Sequence, residues 1–155
     1  MPKQKTLEEA YHDCQVDGFF KDQQLVGMDK IKTMLQLSDS MLDVGQNTKK
    51  NLDPKSPQWS IVYTLHYDAL RELADALVSF YNKKIPNHQC LFAYLCEKHP
   101  ELEFNWDFFE KIRTKRNGIN YYGSPVNGND WKEVELQTIL YIRKLREEIE
   151  KKVRI

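Results

Sequence analysis

Apolar residues return every three or four positions in segment after segment of this chain, and alternation with a period of two never survives beyond a few residues. Helical spacing gathers such residues on one face of a helix, whereas a half-buried strand needs strict alternation. The spacing therefore predicts an all-α fold, an up-and-down bundle of about five to six helices in a single domain over residues 1–155. At 155 residues the chain is long enough for one sizeable core.

Local signals place the helices. Thr6-Leu-Glu-Glu9 is a capping box, so a first helix begins there and turns Leu7, Ala10, Tyr11 and Cys14 inward before fraying near Gly18. A second helix is expected from about Leu25 to Gln46, with Met28, Ile31, Leu35 and Leu42 on one face. These N-terminal helices occupy residues 1–50. A polar loop with two prolines follows over about 45–58, and the main segment is 60–155. Ser60 is the expected cap of a third helix to about Asn82, with the stripe Val62, Leu65, Ala69, Leu73, Ala76, Leu77 and Phe80. Asn87 caps a shorter fourth helix that His99-Pro100 ends. The fifth runs from about Asn105 to Tyr122 and stops at Gly123-Ser-Pro125. It is expected to pack on the last helix. That helix is capped by Asp130 and runs through Val153 with Val134, Ile142, Leu145, Ile149 and Val153 inward.

Charge limits the function classes. Lys and Arg total 23, Asp and Glu total 23, and the formal net charge is zero. A protein that grips long nucleic acid over its whole surface is usually basic, so any such contact here is local. No window of about 18 apolar residues is present, so no membrane span is expected. Three cysteines, Cys14, Cys90 and Cys96, are few and odd in number. They read as reduced thiols in a cytoplasmic protein, with Cys14 and Cys90 as buried packing groups. His88, Cys90, Cys96 and His99 lie within twelve residues. They lack the two separated ligand pairs of a structural zinc site, so no metal and no cofactor is assigned. His66, beside Tyr67, reads as a satisfied core group. No phosphate loop, nucleophile elbow or carboxylate pair of defined spacing occurs.

The stretch from Lys111 through Ile112, Arg113, Thr114, Lys115, Arg116, Asn117, Gly118, Ile119, Asn120, Tyr121 and Tyr122 to Gly123 holds the chemistry. Trp106, Phe108, Phe109, Ile112 and Ile119 form a core-facing stripe, and Arg116 and Asn120 fall in or beside it. An arginine on an apolar face needs a partner, from another helix, a second subunit or a ligand. Arg116 can act as a fork for phosphate with Asn117 and Asn120 as supports, and Lys111, Arg113 and Lys115 add charge. Tyr121 and Tyr122 suit base stacking or a dimer seam.

These residues resemble the HEPN superfamily, in particular its archaeal small-protein branch. Two segments bear the likeness: Val62 to Leu77 with Asn87 to Leu95, and Ile112 to Gly123. The resemblance implies a helical bundle that dimerises, and either a metal-independent ribonuclease or a binding partner of a minimal nucleotidyltransferase. Active members carry an Arg, a polar residue and then a His four to six residues after the Arg. Arg116 and Asn117 match the first half, Tyr121 stands where the His falls, and no histidine follows Arg116. A tyrosine is a poor base at neutral pH. The expectation is a homodimeric binder of RNA, nucleotide or a nucleotidyltransferase through Arg113, Arg116, Asn117, Asn120, Tyr121 and Tyr122, without ordinary nuclease chemistry. The alternative is a divergent, toxin-like endoribonuclease using Arg116, Asn117 and Tyr121.

Overall fold

The helix α3, Trp59–Ser79, is apolar on more than one face and has neither glycine nor proline in its 21 residues. Such a helix is stable only when neighbours cover it. The computed structural model describes residues 4–153 and puts α3 at the centre. Six helices make up the bundle: α1 (Leu7–Val16), α2 (Met28–Thr48), α3, α4 (His88–Lys98), α5 (Trp106–Tyr122) and α6 (Gly128–Val153). The all-α bundle is as the spacing predicts. Residues 1–3 and 154–155 of the expected domain lie outside the described residues. Beyond the expected stripe, α3 also buries Tyr63, His66, Tyr67, Leu70, Ala74, Val78 and Ser79, because α2, α6, α4 and α5 all pack against it.

The long contact between α2 and α3 depends on small residues. Ile31, Ser38 and Gly45 recur every seventh position and are the buried positions of α2. Ser38 donates to the Ala69 carbonyl at 3.1 Å. A Cβ on Gly45 would lie 2.8 Å from His66 Cε1, so only glycine fits there. The expected loop from residue 45 therefore begins later, because Gly45 is helical and α2 continues to Thr48. Met28, expected inward, is 43% exposed. His66 is fully buried and satisfied: Nδ1 is 2.7 Å from the Val62 carbonyl and Nε2 is 2.9 Å from the Gln46 amide. Burial pushes its pKa down, so the ring is neutral and packs on Trp131.

Capping decides most boundaries. Thr6 and Glu9 form the reciprocal capping box, Asn87 caps α4, Asn105 caps α5, and Gly123 ends α5 at φ +62°. Two assignments change. Ser60 does not cap α3; its Oγ accepts from Val126 N–H at 3.0 Å and holds the loop before α6. Asn127, not Asp130 alone, starts α6: each side chain accepts from the other's backbone N–H. A strand pair also departs from a helix-only chain. Lys21–Asp22 (β1) pairs antiparallel with Lys83–Lys84 (β2), with Lys21 opposite Lys84. Two residues per strand are too few to leave a periodic signature.

The cysteines overturn one expectation. Cys14 and Cys90 are buried as predicted, but they form a disulfide that ties α1 to α4, with their Cα atoms 5.7 Å apart. They lie 76 positions apart, and only the packing of α1 on α4 brings them together. The cytoplasmic expectation rested on reduced thiols and loses that support. Cys96 is the free cysteine, buried beside the Phe104 carbonyl, and burial pushes its thiol up to about 12. No helix among the described residues is long and apolar enough to cross a membrane.

The fifth helix also packs differently from the expectation. It lies chiefly on α3 and α4. Its aromatic contact with α6 runs through Tyr141, which meets Phe108 and Phe109 with ring centroids 5.2 and 5.3 Å apart.

Candidate anion site between α4 and α5

Arg116 sits nearly two turns before the end of α5, on the side that faces α3 and α4. Its side chain is only 14% exposed, and its partners come from within the same chain. One guanidinium nitrogen donates to Asp68 of α3 at 3.2 Å. The plane lies over the Tyr67 ring, 5.3 Å from its centroid. The Asn120 carboxamide lies against the guanidinium; with its oxygen turned inward it is 3.1–3.2 Å from all three nitrogens, over the face of the group. An i, i+4 spacing on one helix makes that contact possible.

Arg113, one turn earlier, is held in the same manner. Its Nε and Nη2 donate to Glu110 at 2.9 and 3.0 Å. Glu110 is only 3% exposed, and Gln89 of α4 also donates to it at 3.1 Å. A carboxylate so buried needs such partners. Both arginines are thus fixed by carboxylates of the same chain.

These supports leave an open cavity of about 270 Å³ between the ends of α4 and α5. Pro86, Asn87, His88, Gln89, Arg113, Arg116, Asn117 and Tyr121 line it. No carboxylate does: Asp68 and Glu110 hold the guanidiniums from outside the lining. The wall includes the first turn of α4, where backbone N–H groups lack helical partners and the helix dipole is positive. The chemistry of the cavity is therefore that of a donor-rich hollow.

His88 completes the wall. Its Nδ1 is 3.1 Å from the Tyr67 hydroxyl. Burial drives the Tyr67 pKa upward, so the phenol stays protonated. It is the natural donor to Nδ1, which leaves the imidazole proton on Nε2. Burial first, then Arg71, Arg116 and Arg113, lower the His88 pKa to about 4. The ring is neutral at physiological pH.

The structure separates the candidate residues into groups. Arg113, Arg116, Asn117 and Tyr121 meet in the cavity, and Asn120 supports it from one side. Tyr122 does not line it; Tyr121 and Tyr122 are 71% and 79% exposed. Lys111 and Lys115 turn to α6 and pair with Glu133 and Asp130 at 3.6 and 3.8 Å. His88, Gln89, Asp68, Tyr67 and Glu110 were missed in the sequence. Nothing in the sequence singled out Asp68 or Glu110, and His88 read with the cysteines. Those four His and Cys residues disperse: His88 bonds Tyr67, Cys90 bonds Cys14, and His99 lies 3.1 Å from Glu101. Among the described residues no group of three or more His, Cys, Asp or Glu is placed to hold a metal ion. No family model matches the chain, and no curated protein matches its sequence.

Proposed function

We propose that this chain is a HEPN-type binding protein that takes a phosphate-bearing ligand, RNA or nucleotide, in the α4–α5 cavity. The observation that carries this reading is the lining: two guanidiniums, amides, an imidazole and a helix N-terminus, with no carboxylate among them. An anion there meets donors already fixed by Asp68, Glu110 and Asn120, so little ordering remains to be done on binding. Arg116 is the central contact, Arg113 the second, and Asn117 and Tyr121 form the outer rim. Exposed Tyr121 and Tyr122 offer rings to bases, or to a second copy in the homodimer that the resemblance implies. A minimal nucleotidyltransferase is the partner protein the same resemblance implies.

One observation favours the nuclease alternative: His88 brings an imidazole to the pocket from α4, although none follows Arg116 on α5. Its pKa of about 4 makes it a weak base at neutral pH, which favours binding over cleavage. The test is titration of pure protein with labelled single-stranded RNA in chelator, followed by a gel of the same samples. Saturable binding of intact RNA that falls with rising salt supports the binder. RNA cut by the wild type and left whole by Arg116→Ala supports the nuclease. No binding by RNA, nucleotide or phosphate removes the proposal.

A further inference from the structure

The outward face of α6 departs from what a surface helix usually presents. Val134, Ile142, Leu145 and Ile149 turn its buried side to the bundle, and polar residues are expected opposite them. Instead Leu136 and Leu140, one turn apart, are 73% and 50% exposed. They lie in a stripe with exposed Glu133, Arg143 and Glu147. The steps along the stripe alternate between three and four residues, the spacing of a seam between two helices. An open groove of about 860 Å³ follows it, bounded by Glu103 and Asn105 from the segment before α5. The groove shares no lining residue with the α4–α5 cavity, and neither Tyr121 nor Tyr122 lines it.

We propose that this face of α6 pairs with the same face of a second copy, in an antiparallel dimer whose two-fold axis passes at the level of Thr138. In that register Leu136 lies against Leu140 of the second copy and Glu133 against its Arg143, and the symmetry makes each contact twice. The stripe is thus complementary to itself in both shape and charge. Centring the pair on Leu140 instead sets Glu133 against Glu147 of the second copy. A parallel pairing sets Glu133 against Glu133 and Arg143 against Arg143. Like charges so placed oppose association, which selects the register centred at Thr138. Within its own chain Glu133 meets Lys111 at 3.6 Å, and both side chains are more than half exposed. Such a contact contributes little, so Glu133 is available to the second copy. Residues 133–147 span about 21 Å of helix. That is a short seam, and it fits a reversible dimer rather than a permanent one.

The test is sedimentation velocity of the intact protein from micromolar to millimolar concentration, where a reversible monomer–dimer equilibrium is expected. Leu136→Glu should leave only monomer with an unchanged helical spectrum, because the side chain is mostly exposed. Glu133→Arg and Arg143→Glu each set like charges against one another twice, and each should weaken association about ten-fold. An equal mixture of these two variants restores opposite charges across a heterodimer, and the doubly substituted chain restores them in a homodimer. Both should associate as the wild type does. Monomer throughout the concentration range overturns the proposal and leaves the face to a different partner. A dimer that persists in Leu136→Glu places the seam elsewhere, and loss of that dimer in Tyr121→Ala would place it at the end of α5. Single charge reversals without effect, or a mixture that fails to recover, overturn the antiparallel register.

Discussion

Arg116 of α5 and Asp68 of α3 form an ion pair at 3.2 Å, with the guanidinium over the Tyr67 ring and beside the Asn120 carboxamide. The pair joins the wall of the proposed site to the central helix of the bundle, so binding and stability share one residue. Arg116→Lys keeps the charge and loses the planar fork. Phosphate affinity is expected to fall about ten-fold with a small change in melting temperature. Arg116→Ala leaves Asp68 without its partner and should destabilise by about 2 kcal/mol, less than a fully buried pair because both side chains retain some exposure. A double-mutant cycle with Asp68→Asn measures the coupling. Unchanged affinity in Arg116→Lys would show that the guanidinium does not hold the phosphate.

The Cys14–Cys90 link closes 76 residues and fastens α1 to the turn of α4 that carries His88 and Gln89. Chain-entropy arithmetic for a loop of that length gives about 4.5 kcal/mol of stabilisation. Denaturant titrations with and without reductant should differ by about 2–5 kcal/mol. Thiol counting in denaturant without reductant should find Cys96 alone. Three reactive thiols per chain before reduction would refute the disulfide.

How far the sequence carried depended on the range of each interaction. Caps act over three or four residues, so Thr6 with Glu9, Asn87 and Gly123 placed helix ends correctly. The stripe of α5 marked Arg116 as a residue in need of a partner, and it is largely buried. Naming Asp68 required knowing that α5 lies on α3, and Asp68 looks like any other exposed acid on a helix. The same holds for Glu110, whose depth comes from α4. The disulfide depended on α1 meeting α4, which no local pattern encodes. Gly45 misled because a glycine beside a polar run resembles a helix stop, whereas its function is to let α2 approach His66.

That approach gives a direct prediction. In Gly45→Ala the new methyl would begin 2.8 Å from His66 Cε1 and 3.0 Å from Nδ1. His66 is held on both sides by Val62 and Gln46 and backed by Trp131, so it has little room to yield. Helix propensity favours Ala by about 1 kcal/mol, but overpacking costs about 1–3 kcal/mol and should win. The variant is expected to melt lower than the wild type. A higher melting temperature would mean that the two helices separate easily at this point.

Acid stability follows from three groups whose pKa values are displaced. His66 is lowered by burial, and His88 is lowered from 6.5 to about 4 by burial and by Arg71, Arg116 and Arg113. Each ring is neutral in the fold and takes a proton more readily once unfolded. Their contribution is complete above about pH 6.5 and is lost as pH falls below it, for His88 down to about 4. Asp75 runs the other way. Burial raises it from 3.8 to about 6 despite the opposing charge of Arg71, so the folded protein binds this proton more tightly than the unfolded chain does. Its contribution is present in acid and is lost as pH rises through 6. Between pH 6.5 and 4 the two histidines lose stability while Asp75 returns part of it, so the wild type should show a modest net decline. Asp75→Asn removes the offsetting group. Its melting temperature should fall more steeply than that of the wild type across the same interval, by an added loss of at most roughly 2 kcal/mol. Melting curves at pH 7, 5.5 and 4.5 for both proteins decide it, and an equal or shallower slope in Asp75→Asn would show that Asp75 titrates as an ordinary surface carboxylate.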